Sequence, residues 1–117
     1  MIRHIGGCHC GRVRFEVIAP SRLSVAECNC SMCSRKGSLL GFVPRENLKL
    51  LTPESEMSTY LFNKHIIRHH FCKTCGIHPL AEAKDRAGKP SAAINLRCLE
   101  NFDLGALKIK KFNGAAL

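Results

Sequence analysis

The sequence contains no tryptophan and only one tyrosine among its 117 residues. Proteins that bind single-stranded nucleic acid stack the bases on aromatic side chains, and this composition offers few such platforms. The chain also lacks any run of about 18 apolar residues, the length that a membrane-spanning helix requires. We therefore expect a soluble protein with no membrane span, and we do not expect a nucleic acid as its partner.

Negative charge is also scarce: the chain has 9 aspartates and glutamates but 18 lysines and arginines, which gives a formal net charge of +9. The basic residues extend from Arg3 to Lys111 without forming a long block. In the densest run, residues 108–111, lysines flank Ile109 in the pattern of an edge strand. Charged residues on edge strands commonly keep a protein soluble. This distribution predicts at most weak, sequence-independent attraction to DNA.

The first residues show no targeting signal. Residues 1–7 contain no apolar core of the kind that a secretory signal peptide requires, so nothing directs the chain to an oxidising compartment. The length of the chain is typical of one domain. We expect residues 1–117 to form a single domain in the cytoplasm.

Cysteine is abundant, and seven of the eight cysteines fall into three clusters. The clusters are Cys8 with Cys10, then Cys28, Cys30 and Cys33, and then Cys72 with Cys75. The two pairs together supply the four thiolates that structural zinc takes in a closed tetrahedral shell. The triplet supplies only three, and zinc with three protein ligands keeps a position for an exchangeable group. The spacing therefore predicts two zinc ions, one structural and one at an open site.

Local geometry supports metal binding by these clusters. In a Cys-x-Cys on an extended segment both side chains point to one face, close enough to share an ion but poorly placed to bond each other. Gly76, which follows Cys75, can take the left-handed conformation that turns backbone amides toward the sulfurs. An even cysteine count also allows a disulfide framework, and Cys72-x-x-Cys75 a redox pair, although Pro79 and its polar neighbours offer no helix. We favour the metal sites over both.

The dominant period along the chain is two. Val13, Phe15 and Val17 alternate with charged residues, which predicts a strand over residues 12–17 with these three side chains in the core. Further strands are expected at residues 23–28, 39–43, 48–51, 58–62, 66–71, 92–97 and 109–112. Short strands at this spacing predict a mainly β fold with antiparallel sheets and at most a helical turn near residues 100–104.

Four segments, in this order, resemble the glutathione-dependent formaldehyde-activating enzyme family, which also includes centromere protein V. They are Gly-Gly-Cys-His-Cys-Gly at 6–11, Cys-Asn-Cys-Ser-Met-Cys at 28–33, Phe-Cys-Lys-Thr-Cys-Gly-Ile-His-Pro at 71–79 and Asn-Leu-Arg-Cys-Leu at 95–99. The resemblance implies a small, tent-like fold of antiparallel sheets pinned by zinc. It also implies that the two cysteine pairs hold the structural ion and that the triplet holds the second, as the spacing predicts.

The triplet also predicts a reaction class. Zinc on three thiolates carries a net negative charge, so it activates water poorly, but it is thiophilic and can present an incoming thiol as a thiolate. Such a thiolate could attack an aldehyde, and the reverse step would break the carbon–sulfur bond. We expect a carbon–sulfur lyase or thiol-adduct enzyme, resembling S-(hydroxymethyl)glutathione synthase, that binds a small thiol such as glutathione at Cys28, Cys30 and Cys33. The alternatives are a closed structural site and a non-catalytic module, either a thiol carrier or a chromatin-type adaptor.

The eighth cysteine, Cys98, follows the predicted strand at residues 92–97. Alternation groups it with Ile94 and Leu96, which predicts a buried structural thiol pointing into the core.

Histidines and basic residues lie near all three cysteine clusters. His9, His69 and His70 are tempting ligands, but the four-thiolate shell is already full, so we expect them to face solvent or to support the ligands. Arg35 and Lys36 follow Cys33 closely and are placed to meet the carboxylates of a thiol peptide. A solvated basic turn is the alternative for these two residues.

Overall fold

A computed structural model describes residues 1–20, 24–61, 64, 66–106 and 109–116 of the chain. These ranges hold ten strands and one α-helix: β1 (Ile2–Gly7), β2 (Arg14–Ala19), β3 (Val25–Cys28), α1 (Ser31–Lys36), β4 (Leu40–Pro44), β5 (Leu48–Leu50), β6 (Met57–Tyr60), β7 (Arg68–Cys72), β8 (Leu80–Lys84), β9 (Pro90–Asn95) and β10 (Ile109–Phe112). The same ranges hold five short 3-10 turns: Arg45–Asn47, Glu54–Glu56, Leu96–Cys98, Leu104–Ala106 and Gly114–Ala116. None of the helices in the described part of the chain has the length and apolar character needed to span a bilayer.

The strands form two sheets. One has three strands in the order β1-β2-β5, and the other has seven in the order β10-β3-β4-β9-β8-β7-β6. The mainly β fold with antiparallel sheets is confirmed. One pairing departs from it, because β10 joins the edge of the larger sheet parallel to β3.

The core lies between the two sheets. Val13, Phe15 and Val17 are each at most 1% exposed, as the alternation predicted. Val13 lies just before β2, and Phe15 and Val17 lie on β2 in the smaller sheet. Phe15 and Val17 share one buried cluster with Leu80 and Ile94 of the larger sheet. Each large apolar side chain buried in this way stabilises the fold by about 1.5–3 kcal/mol, so the alternating pattern of β2 determines which face of the small sheet packs inward.

The predicted strands all have counterparts, shifted by up to two or three residues at their ends. The start of the strand predicted at residues 23–28 and the end of the one predicted at residues 58–62 lie outside the described residues, as does Lys108 of the basic run. Two observed strands were not predicted. β1 ends in two glycines and β8 reads Leu-Ala-Glu-Ala-Lys, which favours a helix by intrinsic propensity, but pairing on both edges of β8 overrides that preference.

The expectation of no helix beyond a turn near residues 100–104 is wrong. α1 begins after Cys30, whose side chain accepts a hydrogen bond from the Cys33 amide, and ends at Gly37, which adopts φ +66° and donates to the Cys33 carbonyl. A cysteine is not among the usual helix-capping residues, so the sequence carried no ordinary start signal. The nearest turn to the predicted one is Leu104–Ala106.

Candidate metal centre

Two cysteine pairs that lie far apart in the sequence meet in one four-thiol cluster. Cys8 and Cys10 lie between β1 and β2, Cys72 ends β7, and Cys75 lies in the turn that follows. The Sγ atom of Cys10 is 3.6 Å from those of Cys8 and Cys72, and all four sulfurs lie within 4.8 Å of one another. Zinc–sulfur bonds of about 2.3 Å in a tetrahedron place the sulfurs about 3.8 Å apart. The four-thiol cluster therefore has the dimensions of a closed zinc site.

Backbone amides point at the sulfurs of the four-thiol cluster. The Val13 amide donates to the Cys8 sulfur at 3.3 Å, and the Thr74 and Cys75 amides donate to the Cys72 sulfur at 3.4 Å. The second turn closes because Gly76 takes φ +82°, the left-handed conformation that its position predicted. Hydrogen bonds of this kind stabilise thiolates, so the loops are shaped for metal ligands.

The four thiols of this cluster differ in how readily they ionise. The Arg12 amide favours the Cys10 thiolate, but desolvation and the crowded neighbouring sulfurs raise the pKa of Cys10 to about 11. Desolvation opposes ionisation of Cys75 as well, yet the amides of Ile77 and Cys10 and the adjacent thiols lower the pKa of Cys75 to about 6. The sulfurs thus share protons, and all four can ionise together only when a positive charge lies among them.

Three further cysteines form a second, three-thiol cluster at the junction of β3 and α1. Cys28 ends β3, Cys30 caps α1, and Cys33 lies inside the helix, with the three sulfurs within 4.8 Å of one another. The Cys30 amide donates to the Cys28 sulfur at 3.5 Å, and the Cys33 amide donates to the Cys30 sulfur at 3.3 Å. All three predicted ligands come from one stretch of six residues, so this cluster forms locally.

The buried end of the three-thiol cluster resists ionisation. Cys33 is 7% exposed, and its burial, with the neighbouring Cys30 thiol, raises the pKa of Cys33 to about 12. Burial also opposes ionisation of Cys30, but the Cys33 amide and the neighbouring sulfurs lower the pKa of that thiol overall. As in the four-thiol cluster, a divalent cation would remove this conflict, and soft thiolates suit zinc.

The two clusters differ in completeness. Among the described residues, no further cysteine, histidine, aspartate or glutamate offers an atom within 4.8 Å of all three sulfurs of the three-thiol cluster. All eight cysteines lie in described ranges and all are free thiols, which argues against the disulfide framework. Cys8, Cys10, Cys72 and Cys75 would hold one zinc ion, and Cys28, Cys30 and Cys33 a second with one position left over.

Comparison with known proteins agrees with this arrangement. The sequence profile described as glutathione-dependent formaldehyde-activating enzyme matches residues 3–112. The chain belongs to this family. A crystal structure of a Rhodobacter sphaeroides protein, a structural genomics target, is similar with a TM-score of 0.75 at 27% sequence identity, covering 91% of this chain and 99% of that one. The resemblance predicted from the four cysteine-containing segments is therefore confirmed.

In this member of the glutathione-dependent formaldehyde-activating enzyme family, Cys98 belongs to neither cluster. β9 ends at Asn95, whose side chain accepts from the Arg97 amide at 3.2 Å and starts a 3-10 turn. Cys98 ends this turn instead of continuing the strand, and it is less buried than Ile94 and Leu96, with which the alternation had grouped it. Cys98 is half-buried, and burial, with the thiolates of the four-thiol cluster, raises its pKa to about 11.

None of the histidines that the structure describes offers a ligand atom to either cluster. His9 is exposed, but His69 and His70 are buried on β7, so the expectation that they face solvent is wrong for these two. Consecutive residues of a strand point to opposite faces of the sheet, so both faces of β7 are covered at these two positions. His70 supports the sheet rather than a metal, because its Nδ1 atom is 2.9 Å from the Thr59 hydroxyl and its Nε2 atom is 3.3 Å from Glu82.

The two basic residues after Cys33 are placed differently from each other. Arg35 is exposed, and its guanidinium donates to the Ser31 carbonyl at 2.7 Å. Lys36 is half-buried, and burial lowers its pKa while the thiolates of Cys33, Cys30 and Cys98 oppose that change. Lys36 follows the buried ligand Cys33 by one helical turn and is half-buried, whereas Arg35 lies on the exposed face of the helix.

One nearby residue was missed by sequence reasoning. His78 is half-buried, its ring is 5.3 Å from that of Phe71, and burial together with the charge of Lys36 lowers its pKa. Its carbonyl accepts from the Asn95 side chain at 3.0 Å, and the Cys98 sulfur lies 4.0 Å from the same oxygen. His78 belongs to the family-like segment at residues 71–79, which singles it out. Nothing in the sequence indicates, however, that the charge of Lys36 acts on it.

Proposed function

We propose that the protein is a carbon–sulfur lyase of the S-(hydroxymethyl)glutathione synthase type, which makes or breaks the adduct of a small thiol such as glutathione with formaldehyde. The observation that carries the proposal is the three-thiol cluster, which lacks a fourth ligand among the described residues. Membership of the glutathione-dependent formaldehyde-activating enzyme family supports the substrate class.

Zinc at this cluster would supply a thiophilic Lewis acid that favours the ionised form of a bound thiol. The adduct forms without a by-product: the thiol gives up its proton, its sulfur bonds to the aldehyde carbon as the carbonyl π bond opens, and the oxygen takes up one proton. The reverse reaction breaks the carbon–sulfur bond and returns thiol and aldehyde. The protein's task is to hold the thiolate in place at neutral pH.

The buried and the half-buried cysteines of the triplet have different parts in that task. Cys33 is buried and anchors the cluster to the inward face of α1. Cys28 and Cys30 are half-buried and lie toward the solvent side, where a substrate sulfur can approach. The amide hydrogen bonds to Cys28 and Cys30 keep these sulfurs fixed when the fourth position changes occupant.

Arg35 is proposed to meet a carboxylate of the thiol peptide. Its guanidinium is exposed two residues beyond Cys33, with one nitrogen tied to the Ser31 carbonyl and the rest available to an anion. Arg35→Met should raise the concentration of glutathione needed for half-maximal binding and leave 2-mercaptoethanol, which has no carboxylate, unaffected. Equal effects on the two thiols would contradict this role.

The cytoplasm is proposed as the compartment. Eight free thiols, most of them crowded within 4.8 Å of another, persist best where the glutathione pool keeps thiols reduced. Equal amounts of correctly metallated protein from a cytoplasmic and a secreted form would contradict this placement.

The proposed reaction can be tested by exchange NMR. The zinc-loaded protein is mixed with glutathione and carbon-13 formaldehyde, and the rate at which label exchanges between free aldehyde and adduct is measured. We expect acceleration over the uncatalysed mixture, loss of that acceleration in Cys30→Ser, and its retention in the matched control Cys98→Ser. A folded, zinc-loaded protein that binds thiol without acceleration would contradict the lyase and leave a thiol carrier.

A further inference from the structure

Lys36 shares a helical face with the buried ligand of the three-thiol cluster. It is the last residue of α1 and follows Cys33 by three positions, a spacing that brings side chains together on one face. Lys36 is half-buried, while the adjacent Arg35 is exposed and bonded to the carbonyl of its own helix. The geometry of α1 thus turns one of the two cations toward the thiols and the other away from them.

The position of Lys36 is held from both sides. Gly37, immediately after it, donates to the Cys33 carbonyl at 3.0 Å in the left-handed conformation that ends the helix. The Arg97 side chain donates to the Gly37 carbonyl at 3.3 Å, which fastens the end of α1 to the 3-10 turn that carries Cys98. The backbone from which Lys36 extends is therefore held at the end of α1 by these two hydrogen bonds.

Lys36 is the half-buried cation of this region, since Arg97, which also reaches the end of α1, is exposed. Cys33 precedes it by three positions on α1, Cys30 caps that helix and Cys98 lies in the 3-10 turn, and negative charge on these sulfurs favours the charged form of Lys36 against the cost of burial. His69 and His78 also face it, but burial first, and then the charge of Lys36, lowers the pKa of each, so they are neutral. Among the described residues, the groups that favour the charged form of Lys36 are cysteine sulfurs.

Charge counting shows what the lysine can do. Three thiolates and one divalent zinc ion leave a net charge of −1, and an entering thiolate makes it −2. Adding that second negative charge in a half-buried site is unfavourable unless a cation lies close by.

We propose that the ammonium group of Lys36 stabilises the negative charge of the thiolate that enters the three-thiol cluster. The lysine would then interact with the reacting sulfur of the substrate and not with the substrate's carboxylates. The inference rests on the proposed thiol-binding function. It revises the sequence-based expectation for Lys36 and leaves that for Arg35 in place. A consequence is that small thiols without any carboxylate should still bind.

Calorimetric titration of the zinc-loaded protein distinguishes an interaction of Lys36 with the thiolate sulfur from one with the substrate's carboxylates. Glutathione and 2-mercaptoethanol are each titrated into the wild type, Lys36→Met, Lys36→Arg and Lys84→Met, with zinc content measured for every variant. Lys36→Met, which keeps an unbranched apolar side chain but removes the charge, should weaken the binding of both thiols by about tenfold, the order expected when one nearby charge is removed. Lys36→Arg should recover most of the affinity, and Lys84→Met, an exposed lysine at the end of β8, should match the wild type.

Three outcomes would overturn the assignment of Lys36. Weakening of glutathione alone would assign the lysine to the carboxylates, and unchanged binding of both thiols would remove it from the site. Loss of zinc in Lys36→Met would mean that it serves the protein's own thiolates. Failure of the wild type to bind either thiol is a different result, which would overturn the proposed function and this inference with it.

Discussion

At the scale of single residues, His69 is a buried imidazole that the fold keeps neutral. Burial, followed by the charges of Lys36, His78 and His70, lowers the pKa of His69 from 6.5 to about 4. As pH falls below about 6.5 the unfolded chain therefore takes up a proton that the folded chain does not. This difference makes the free energy of unfolding decrease between pH 6.5 and about 4.

We expect His69→Gln to lose less stability on acidification than the wild type does. Urea unfolding of both proteins near pH 7.5 and near pH 5 should show a difference in this loss of roughly 1–2 kcal/mol. Protonation of metal ligands contributes equally to both proteins and cancels in the comparison. Parallel losses in the two proteins would show that His69 does not titrate as described.

Residues whose position depends on local geometry could be predicted from the sequence. Cys30, Cys33 and the Cys72-x-x-Cys75 turn follow directly from spacing, because a few backbone torsions determine where their sulfurs meet. Cys98 could not be placed, since the 3-10 turn after Asn95 breaks the two-residue period. The orientation of Lys36 depends on a helix whose start is marked only by a cysteine.

At the scale of elements, the end of β1 requires glycine at position 7. A Cβ atom on Gly7 would lie 2.3 Å from the Val13 carbonyl oxygen, the same atom that accepts a hydrogen bond from the Cys8 amide at 3.0 Å. The loop that carries Cys8 and Cys10 can therefore close only if this residue has no side chain.

Gly7→Ala should lower the free energy of unfolding by about 1–3 kcal/mol, the usual cost of overpacking, and weaken metal retention at the four-thiol cluster. Gly105→Ala is the matched control, because its Cβ atom would meet its nearest neighbour at an ordinary 3.4 Å. Denaturant unfolding and zinc release to a chelator measure both effects. Similar results for the two variants would mean that the loop adapts without strain.

Elements with a clear side-chain period could be predicted, and those stabilised mainly by their neighbours could not. β2 alternates buried and partly exposed residues, and its inward face was correct. β8 has no such pattern that distinguishes it from a helix, and it is a strand because β7 and β9 bond both of its edges. The parallel addition of β10 to β3 joins segments about 80 residues apart, which local patterns do not encode.

At the scale of the whole molecule, the two clusters connect parts of the chain that differ greatly in their separation along the sequence. The four-thiol cluster joins the loop after β1, in the smaller sheet, to the end of β7, in the larger one, and links positions 62 residues apart in sequence. The three-thiol cluster closes only a local turn between β3 and α1. A cross-link across a long loop removes more entropy from the unfolded chain than a local one does.

Cys72→Ser should therefore destabilise the protein far more than Cys30→Ser, and mild chelation should remove one zinc ion while the fold survives. Zinc analysis and circular dichroism during stepwise chelation, on the wild type and both variants, give the measurement. If Cys30→Ser unfolds the chain as severely as Cys72→Ser, the division into a structural and an open site is incorrect.

Cobalt substitution tests the open site most directly. Each thiolate bound to cobalt adds a sulfur-to-metal charge-transfer band, so the spectrum counts the sulfurs around the ion. Titrating glutathione into the protein with cobalt in both clusters should raise the band intensity of the three-thiol cluster toward that of a four-sulfur site. Cys30→Ser should abolish the response and leave the spectrum of the four-thiol cluster intact. An unchanged spectrum at saturating thiol, with both ions bound and the fold preserved, would contradict thiol binding at Cys28, Cys30 and Cys33.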